Sequence, residues 1–517
     1  MLRSAQCLLV VAMLSVLAGC ASLPPLTSRA ETRVLTDTED TMLGRAQVDT
    51  ERASAGKSGI YPLAQGLDAF AARAVLARLA ERSLDVQYYI WRDDTTGVLL
   101  LQALHEAAER GVRVRLLLDD LGTHGLDASL AALDAHPNIE VRLFNPFASR
   151  KWRGVSLLTD FERLNRRMHN KSLTADGQAS IVGGRNIGDE YFDAGDGALF
   201  ADLDVLALGP VVQEVGAAFD LYWNSASAYP VALLLPKATD DTVQALRTRF
   251  AQVRASPEAR SYIDALQRAE LFDALRTRSL PLEWAKATLV YDEPVKALGK
   301  AEAGELLISR MTQTFGTARR EIDIISPYFV PGAQGTEQLA QHPKRGVKLR
   351  ILTNSLAASD VAAVHSGYAR RRVALLAAGV ELYEMKPDAS QAKPRRKNEG
   401  APGSSGSSGV SLHAKTFSMD RERVFVGSFN LDQRSVALNT EMGVVLESPA
   451  LARALSDGMD AQLGALAYAV VLAPDGRLQW IERTPQGEIR HDTEPKTGWF
   501  KRFGVGVLSV LPIEWLL

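Results

Sequence analysis

From about residue 58 the chain alternates between two hydrophobic rhythms. Apolar residues at three- and four-residue intervals over 67–82 predict an amphipathic helix, with Asp68 as its cap. The dense run Leu84-Asp85-Val86-Gln87-Tyr88-Tyr89-Ile90-Trp91 predicts a strand. Helical spacing returns over 96–110, and Gly111 leads into a second apolar run over 112–118. Strand, helix and strand within about 35 residues make a parallel βαβ unit.

The same order of elements comes back later. Ile322 to Val330 answers the strand at Leu84, and Arg345 to Leu352 answers the segment from Arg110 to Leu117. Asp323 lies 238 residues after Asp85, and Gly346 lies 235 after Gly111. Offsets this constant mean a duplicated domain. Between the copies, about 240–279 has helical periodicity and many charges and reads as a connector.

Each copy carries the same polar pattern: His169-x-Lys171-x4-Asp176 and His413-x-Lys415-x4-Asp420, with His413 placed 244 residues after His169. A small-residue turn ending in Asn follows each, Gly183-Gly184-Arg185-Asn186 and Gly427-Ser428-Phe429-Asn430. On a strand, residues two apart share a face, so His and Lys of each motif should project together. Two imidazoles can divide a phosphodiester displacement into nucleophile and acid. Lys charge and an Asn amide would stabilise the transition-state oxygens, and the glycines permit close approach of the backbone to a ligand. Triad logic asks for a carboxylate beside each His. Glu441, 28 residues after His413, is one candidate; Asp204 is the other, with Asp202 close behind it. His105, His124, His136, His342, His365 and His491 lack the flanking Lys and Asn, and a surface or loop place is expected for them.

The duplicated motif resembles that of the phospholipase D superfamily, and the flanks Leu84–Trp91, Gly183–Asn186 and Gly427–Glu441 resemble its bacterial cardiolipin synthase branch, most nearly the C-type members. The resemblance implies an α/β fold of two pseudo-symmetric domains, each a mixed β-sheet flanked by helices, with the site in the cleft between them. It implies phosphatidyl transfer through a phosphohistidine, with His169 as nucleophile and His413 as acid and base. Lys171, Lys415, Asn186 and Asn430 would hold the phosphoryl oxygens, Asp176 and Asp420 would be structural, and neither metal nor cofactor would be needed. The substrates implied are phospholipids: phosphatidylglycerol as acceptor, and phosphatidylglycerol or phosphatidylethanolamine as donor. Some members of the branch work with a helper protein. A phospholipase D hydrolase, a nuclease of the superfamily and a non-catalytic envelope binding module are the competing readings.

Charge weighs against the nuclease. Lys plus Arg number 59 against 61 for Asp plus Glu, a net charge of −2, whereas nucleic-acid binders carry a basic excess. The first residues look like a lipoprotein signal: Arg3, a short apolar run from Leu8 to Leu17, then Leu17-Ala18-Gly19-Cys20. Cys20 would be acylated and would hold the protein on a membrane surface. Ala21 after it points to the outer membrane on the periplasmic side. The organisation expected is 1–19 signal peptide, 20–57 tether, 58–235 first domain, 236–285 helical connector, 286–470 second domain and 471–517 C-terminal segment. Residues 387–410 hold a basic cluster and a Gly/Ser run and read as a flexible loop. The aromatic tail from Trp499 to Leu517 either docks on the core or dips into a lipid interface.

Overall fold

The computed structural model describes residues 23–26, 29–46, 56–151, 153–192, 202–268, 270–359, 361–387 and 412–517. The signal peptide, Cys20 and all but the first residue of the 387–410 loop lie outside the described residues.

The first half contributes β1 (Ser58–Leu63), β2 (Ser83–Ile90), β3 (Arg113–Gly122), β4 (Ile139–Phe144), β5 (Ser172–Ala175), β6 (Ala179–Gly183), β7 (Asp204–Leu208) and β8 (Ala228–Pro230). They pair in the order β8-β4-β3-β2-β5-β6-β7-β1, with β2, β3 and β4 mutually parallel and the rest antiparallel. The second half contributes β9 (Glu283–Tyr291), β10 (Glu321–Ile325), β11 (Phe329–Val330), β12 (Lys348–Asn354), β13 (Glu381–Met385), β14 (Thr416–Met419) and β15 (Arg423–Gly427). It continues with β16 (Leu431–Asp432), β17 (Met442–Glu447), β18 (Ala467–Leu472), β19 (Leu478–Thr484) and β20 (Gly487–His491). Its order, β9-β17-β15-β14-β10-β12-β13-β18, repeats the first half strand for strand, and β19 and β20 extend it. β9 pairs with β1 along Glu283–Ala285 and with β17 along the rest, so the ladder runs unbroken from one half into the other.

The repeat extends to buried charge. Arg115 meets Asp85 at 2.6 Å between β3 and β2, and Arg350 meets Asp323 at 2.6 Å between β12 and β10. Each half has its own apolar core, and a third core lies between them, joining Val182, Val205 and Ala207 to Val424, Val426 and Val444. Burying that seam is what docks the halves, since apolar surface removed from water contributes about 25 cal/mol per Å².

Several elements differ from the sequence reading. The helix expected over 67–82 is Gly66–Leu79, with Gln65 at the cap position and no cap bond from Asp68. The strand expected over 322–330 is split into β10 and β11, because Pro327 offers no N–H to the ladder. Residues 29–46 of the expected tether lie along the first half: Val34 N–H donates to Asp220 at 2.9 Å, Thr38 donates to the Asp176 carbonyl, and Leu43 is buried. That contact is made largely through backbone groups, which leave no hydrophobic period to read. The connector forms the helices Asp240–Arg254, Arg260–Arg268 and Glu270–Thr277, and Leu246, Phe250 and Tyr262 join the first core. Among the described residues, no helix is long and apolar enough to cross a membrane.

Candidate active site

His169 and Lys171 stand in the extended stretch just before β5, and His413 and Lys415 in the matching stretch before β14. The motifs therefore lead into their strands rather than lying on them. What holds each stretch is a side chain from the end of a parallel strand. Asp119, on β3, accepts the Met168 N–H at 2.8 Å and pairs with Arg167; Asn354, on β12, accepts the Leu412 N–H at 3.0 Å. The residue before each His is thus fixed. Asp119 and Asn354 lie 235 residues apart, the offset of the strands that carry them. That offset was the signal that could have found them.

Asp176 and Asp420 end β5 and β14 in left-handed turns, with φ of 53° and 55°. Asp176 accepts the N–H groups of Glu81, Arg82 and Ser83, and Asp420 those of Arg319, Arg320 and Glu321. Each motif Asp ties its hairpin to the start of the neighbouring parallel strand, away from the histidines.

The carboxylates cross between the halves. His169 Nδ1 is 2.7 Å from Glu441 Oε2, and His413 Nδ1 is 2.6 Å from Asp202 Oδ2. Asp204, preferred in the sequence reading, reaches neither motif His. It is buried between Arg73 at 2.8 Å and Arg185 at 3.2 Å, two guanidiniums that claim it first. Asp202, two residues earlier, takes the place.

Glu441 is itself braced: its N–H donates to Asp292 at 3.0 Å, and Ser428 donates to its carboxylate. The glycines serve this packing. A Cβ on Gly184 would lie 2.4 Å from Asp202 Oδ1 and 3.4 Å from the Gly427 carbonyl, so the two Asn-ending turns face each other with no room between them. The close approach is to the site's own carboxylate. Lys171 and Lys415 each donate to the carbonyl of their own His, which turns both ammonium groups back toward the imidazoles. Tyr89 packs edge-on against His169 at 4.9 Å, and Tyr191 against His413 at 5.0 Å. Asn186 accepts the Ile90 N–H at 3.1 Å, while Oδ1 of Asn430 is buried without a hydrogen-bond partner.

Electrostatics separates the two histidines. Burial, then Lys171 and Lys415, press His169 well below its usual range. His413 is also lowered by burial and Lys415, but Asp202 pulls it back. Burial pushes Glu441 up to about 7 against Lys171 and Ser428, whereas Asp202 stays well below the usual range because His413 and Arg185 outweigh its burial. Lys171 is held well below its usual range by burial, opposed by Glu441 and reinforced by Lys415. The cations suppress one another, and an incoming anion relieves that repulsion. Among the described residues, no group of three or more His, Cys, Asp or Glu side chains is placed to hold a metal ion.

Two stretches, residues 76–223 and 311–462, match the family model described as cardiolipin synthase, PLD-like domain, one in each half. The chain belongs to that family. It is therefore a phosphatidyltransferase of the phospholipase D superfamily. Among relatives of the family, cardiolipin synthase C of Escherichia coli is 49% identical over 462 residues, covering 89% of this chain and 97% of the relative. Cardiolipin synthase A of Pseudomonas aeruginosa is 27% identical over 386 residues, covering 74% of this chain and 62% of that protein. The crystal structure of phosphatidylserine synthase from Haemophilus influenzae shares the fold, with a TM-score of 0.52 at 12% identity, covering 83% of this chain and 92% of that one.

The remaining histidines fall mostly in ordinary places, with one exception. His365 is 3% exposed, on the helix Ala362–Ala369, bonded to Arg372 and to Glu494 at 3.0 Å. Its surroundings are supplied by residues 7 and 129 positions away, and the sequence gives no local sign of them.

Proposed function

We propose that this chain makes cardiolipin by two-step phosphatidyl transfer through a phosphohistidine on His169. With Nδ1 of each ring committed to a carboxylate, the reacting nitrogen is Nε2. In the first step His169 Nε2 bonds to phosphorus, the bond to the leaving alcohol breaks, and His413 gives that alcohol its proton. In the second step His413 takes the proton of the acceptor hydroxyl, whose oxygen bonds to phosphorus as the phosphorus–nitrogen bond breaks. Lys171, Lys415, Asn186 and Asn430 carry the charge of the non-bridging oxygens. The observation that carries this reading is the crossed pairing: Glu441 holds His169 Nδ1 at 2.7 Å and Asp202 holds His413 Nδ1 at 2.6 Å, each carboxylate coming from the opposite half, which leaves both Nε2 atoms free. Burial and the two lysines lower both rings, but Asp202 pulls His413 back, which suits His413 better to the role of acid. The product is in line with the names of the cardiolipin synthase relatives, and the substrates proposed for it are phosphatidylglycerol as acceptor and phosphatidylglycerol or phosphatidylethanolamine as donor.

The test is to incubate the protein with phosphatidylglycerol vesicles, with and without phosphatidylethanolamine, and to separate the lipids. Cardiolipin from wild type and none from His169→Ala is the expected result, and the lipid requirement identifies the donor. Phosphatidic acid alone would make the enzyme a hydrolase. No product until a second protein is added would identify a helper. The same proposal includes a lipid anchor at Cys20 on the periplasmic side of the outer membrane, resting on the signal-like residues before it. Labelled palmitate should enter wild type and not Cys20→Ala.

A further inference from the structure

We infer that this chain lies on the surface of an anionic phospholipid bilayer through an apolar face made by both halves beside the mouth of the site; the choice of lipid rests on the function proposed above. The larger part of that face is the helix Trp499–Val510. A soluble helix turns its apolar stripe inward and its charges outward. This one leaves its apolar stripe outside. Trp499, Phe500, Phe503, Val507, Val510 and Leu511 recur at helical spacing and are all exposed, Phe500 by 83%. Its inward side holds Val505, and Lys501 donates to the Leu356 carbonyl at 2.7 Å. The tail is thus both docked and open. Docking uses one side, and the side left in water is the apolar one.

The smaller part belongs to the first half. Leu157, Leu158 and Phe161 are exposed on the short helices Arg153–Thr159 and Phe161–Leu164, Leu158 by 86%. One residue joins the two parts to the site. Arg434 donates its side chain to Asn165 at 2.8 and 2.7 Å, directly after the second short helix, and its backbone N–H to the Leu517 carbonyl at 2.8 Å. The last residue of the chain therefore lies against the same rim as Asn165. The Asn439 N–H donates to the Arg434 carbonyl at 2.9 Å, and the next residue, Thr440, accepts the His169 N–H at 2.8 Å, so Arg434 stands beside the site.

Charge identifies the occupant. Besides Lys501, which is turned inward, residues 495–513 carry Lys496 and Arg502 and no acidic residue. Aromatic rings flanked by basic side chains partition to the headgroup boundary of an anionic leaflet, the rings into the acyl edge and the cationic groups toward phosphate. A bilayer seated on both patches would bring its headgroups to the rim that Arg434 marks, and a lipid would pass into the cleft without leaving the membrane.

The test uses the full-length protein and two readouts. The first is quenching of tryptophan emission by phosphatidylglycerol vesicles with brominated acyl chains, with Trp499→Phe identifying the component due to Trp499. Quenching of that component is expected, and its absence would overturn the inference. The second compares turnover of phosphatidylglycerol in vesicles with turnover of dissolved short-chain phosphatidylglycerol. Phe500→Ser/Phe503→Ser should lose about tenfold or more on vesicles and nothing on the dissolved lipid. Equal loss on both, no loss on either, or the same vesicle defect in the control Ile489→Ser would overturn it. Quenching of Trp499 in a wild type that turns over neither lipid, with or without a cell extract to supply a helper, would support the surface while refuting the proposed function.

Discussion

Replacing Asp202 by Asn tests the crossed pairing most directly. Asp202 Oδ2 lies 2.6 Å from His413 Nδ1, and Asn keeps the size and one acceptor while removing the charge. An opposite charge within about 4–6 Å moves a pKa by about 1–3 units. The sign is fixed by the chemistry: His413 must be protonated to act as acid, so kcat/KM falls as pH rises through its pKa, and losing the anion lowers that pKa. The alkaline limb of the profile should move down by about 1–3 pH units, and on that limb the rate at fixed pH should fall about 10- to 1000-fold. The assay is kcat/KM against pH on dissolved short-chain phosphatidylglycerol, which keeps surface binding out of the measurement. Asp204→Asn is the contrast. It strands Arg73 and Arg185 in the core, should cost about 3–5 kcal/mol of stability, and should leave the limb in place. If Asp204→Asn moved the limb and Asp202→Asn did not, the pairing would be wrong.

Three further outcomes follow from the same geometry. Gly184→Ala should reproduce the acidward shift of Asp202→Asn in the same pH profile, because its Cβ would fall 2.4 Å from Asp202 Oδ1 and push that carboxylate off His413. A phosphatidyl ester of p-nitrophenol, whose leaving group needs no acid, should restore a stopped-flow burst of p-nitrophenol to His413→Ala but not to His169→Ala; a burst from His169→Ala would reverse the roles of the two histidines. Asp420→Ala leaves the N–H groups of Arg319, Arg320 and Glu321 without their acceptor, at a cost of about 3 kcal/mol or more, read as a lower Tm. Those N–H groups outweigh burial and hold Asp420 below its usual range, so its contribution is present above a pH of about 4 and fades as pH falls through the lower folded value; the Tm deficit should shrink in acid.

The sequence carried the strands, the duplication and both His-Lys pairs, because each is a local pattern repeated at a nearly constant offset. Asp176 and Asp420 were legible as residues beyond the strand end, and they occupy left-handed turns there. The choice between Asp202 and Asp204 was not legible. They sit two residues apart, and what separates them is Arg73, 131 residues before Asp204 and on another element. His365 escaped for the same reason, since Glu494 comes from 129 residues further along. Asp119 and Asn354 differ in type, so a search for identical residues passes over them although they do the same task. The tail could be read as apolar, but which side of its helix faced water depended on Lys501 reaching Leu356.

The exchange of carboxylates across the seam works as an interlock. A chain with one half folded and the other still open holds an imidazole whose partner is elsewhere: Glu441 arrives with the second half, and Asp202 belongs to the first. Neither ring then has its carboxylate, and Lys171 and Lys415 are not yet brought together. Under the mechanism proposed above, a nascent or partly unfolded chain would lack the complete site, and competence to break a phosphodiester would appear only when β1 meets β9 and the ladder closes.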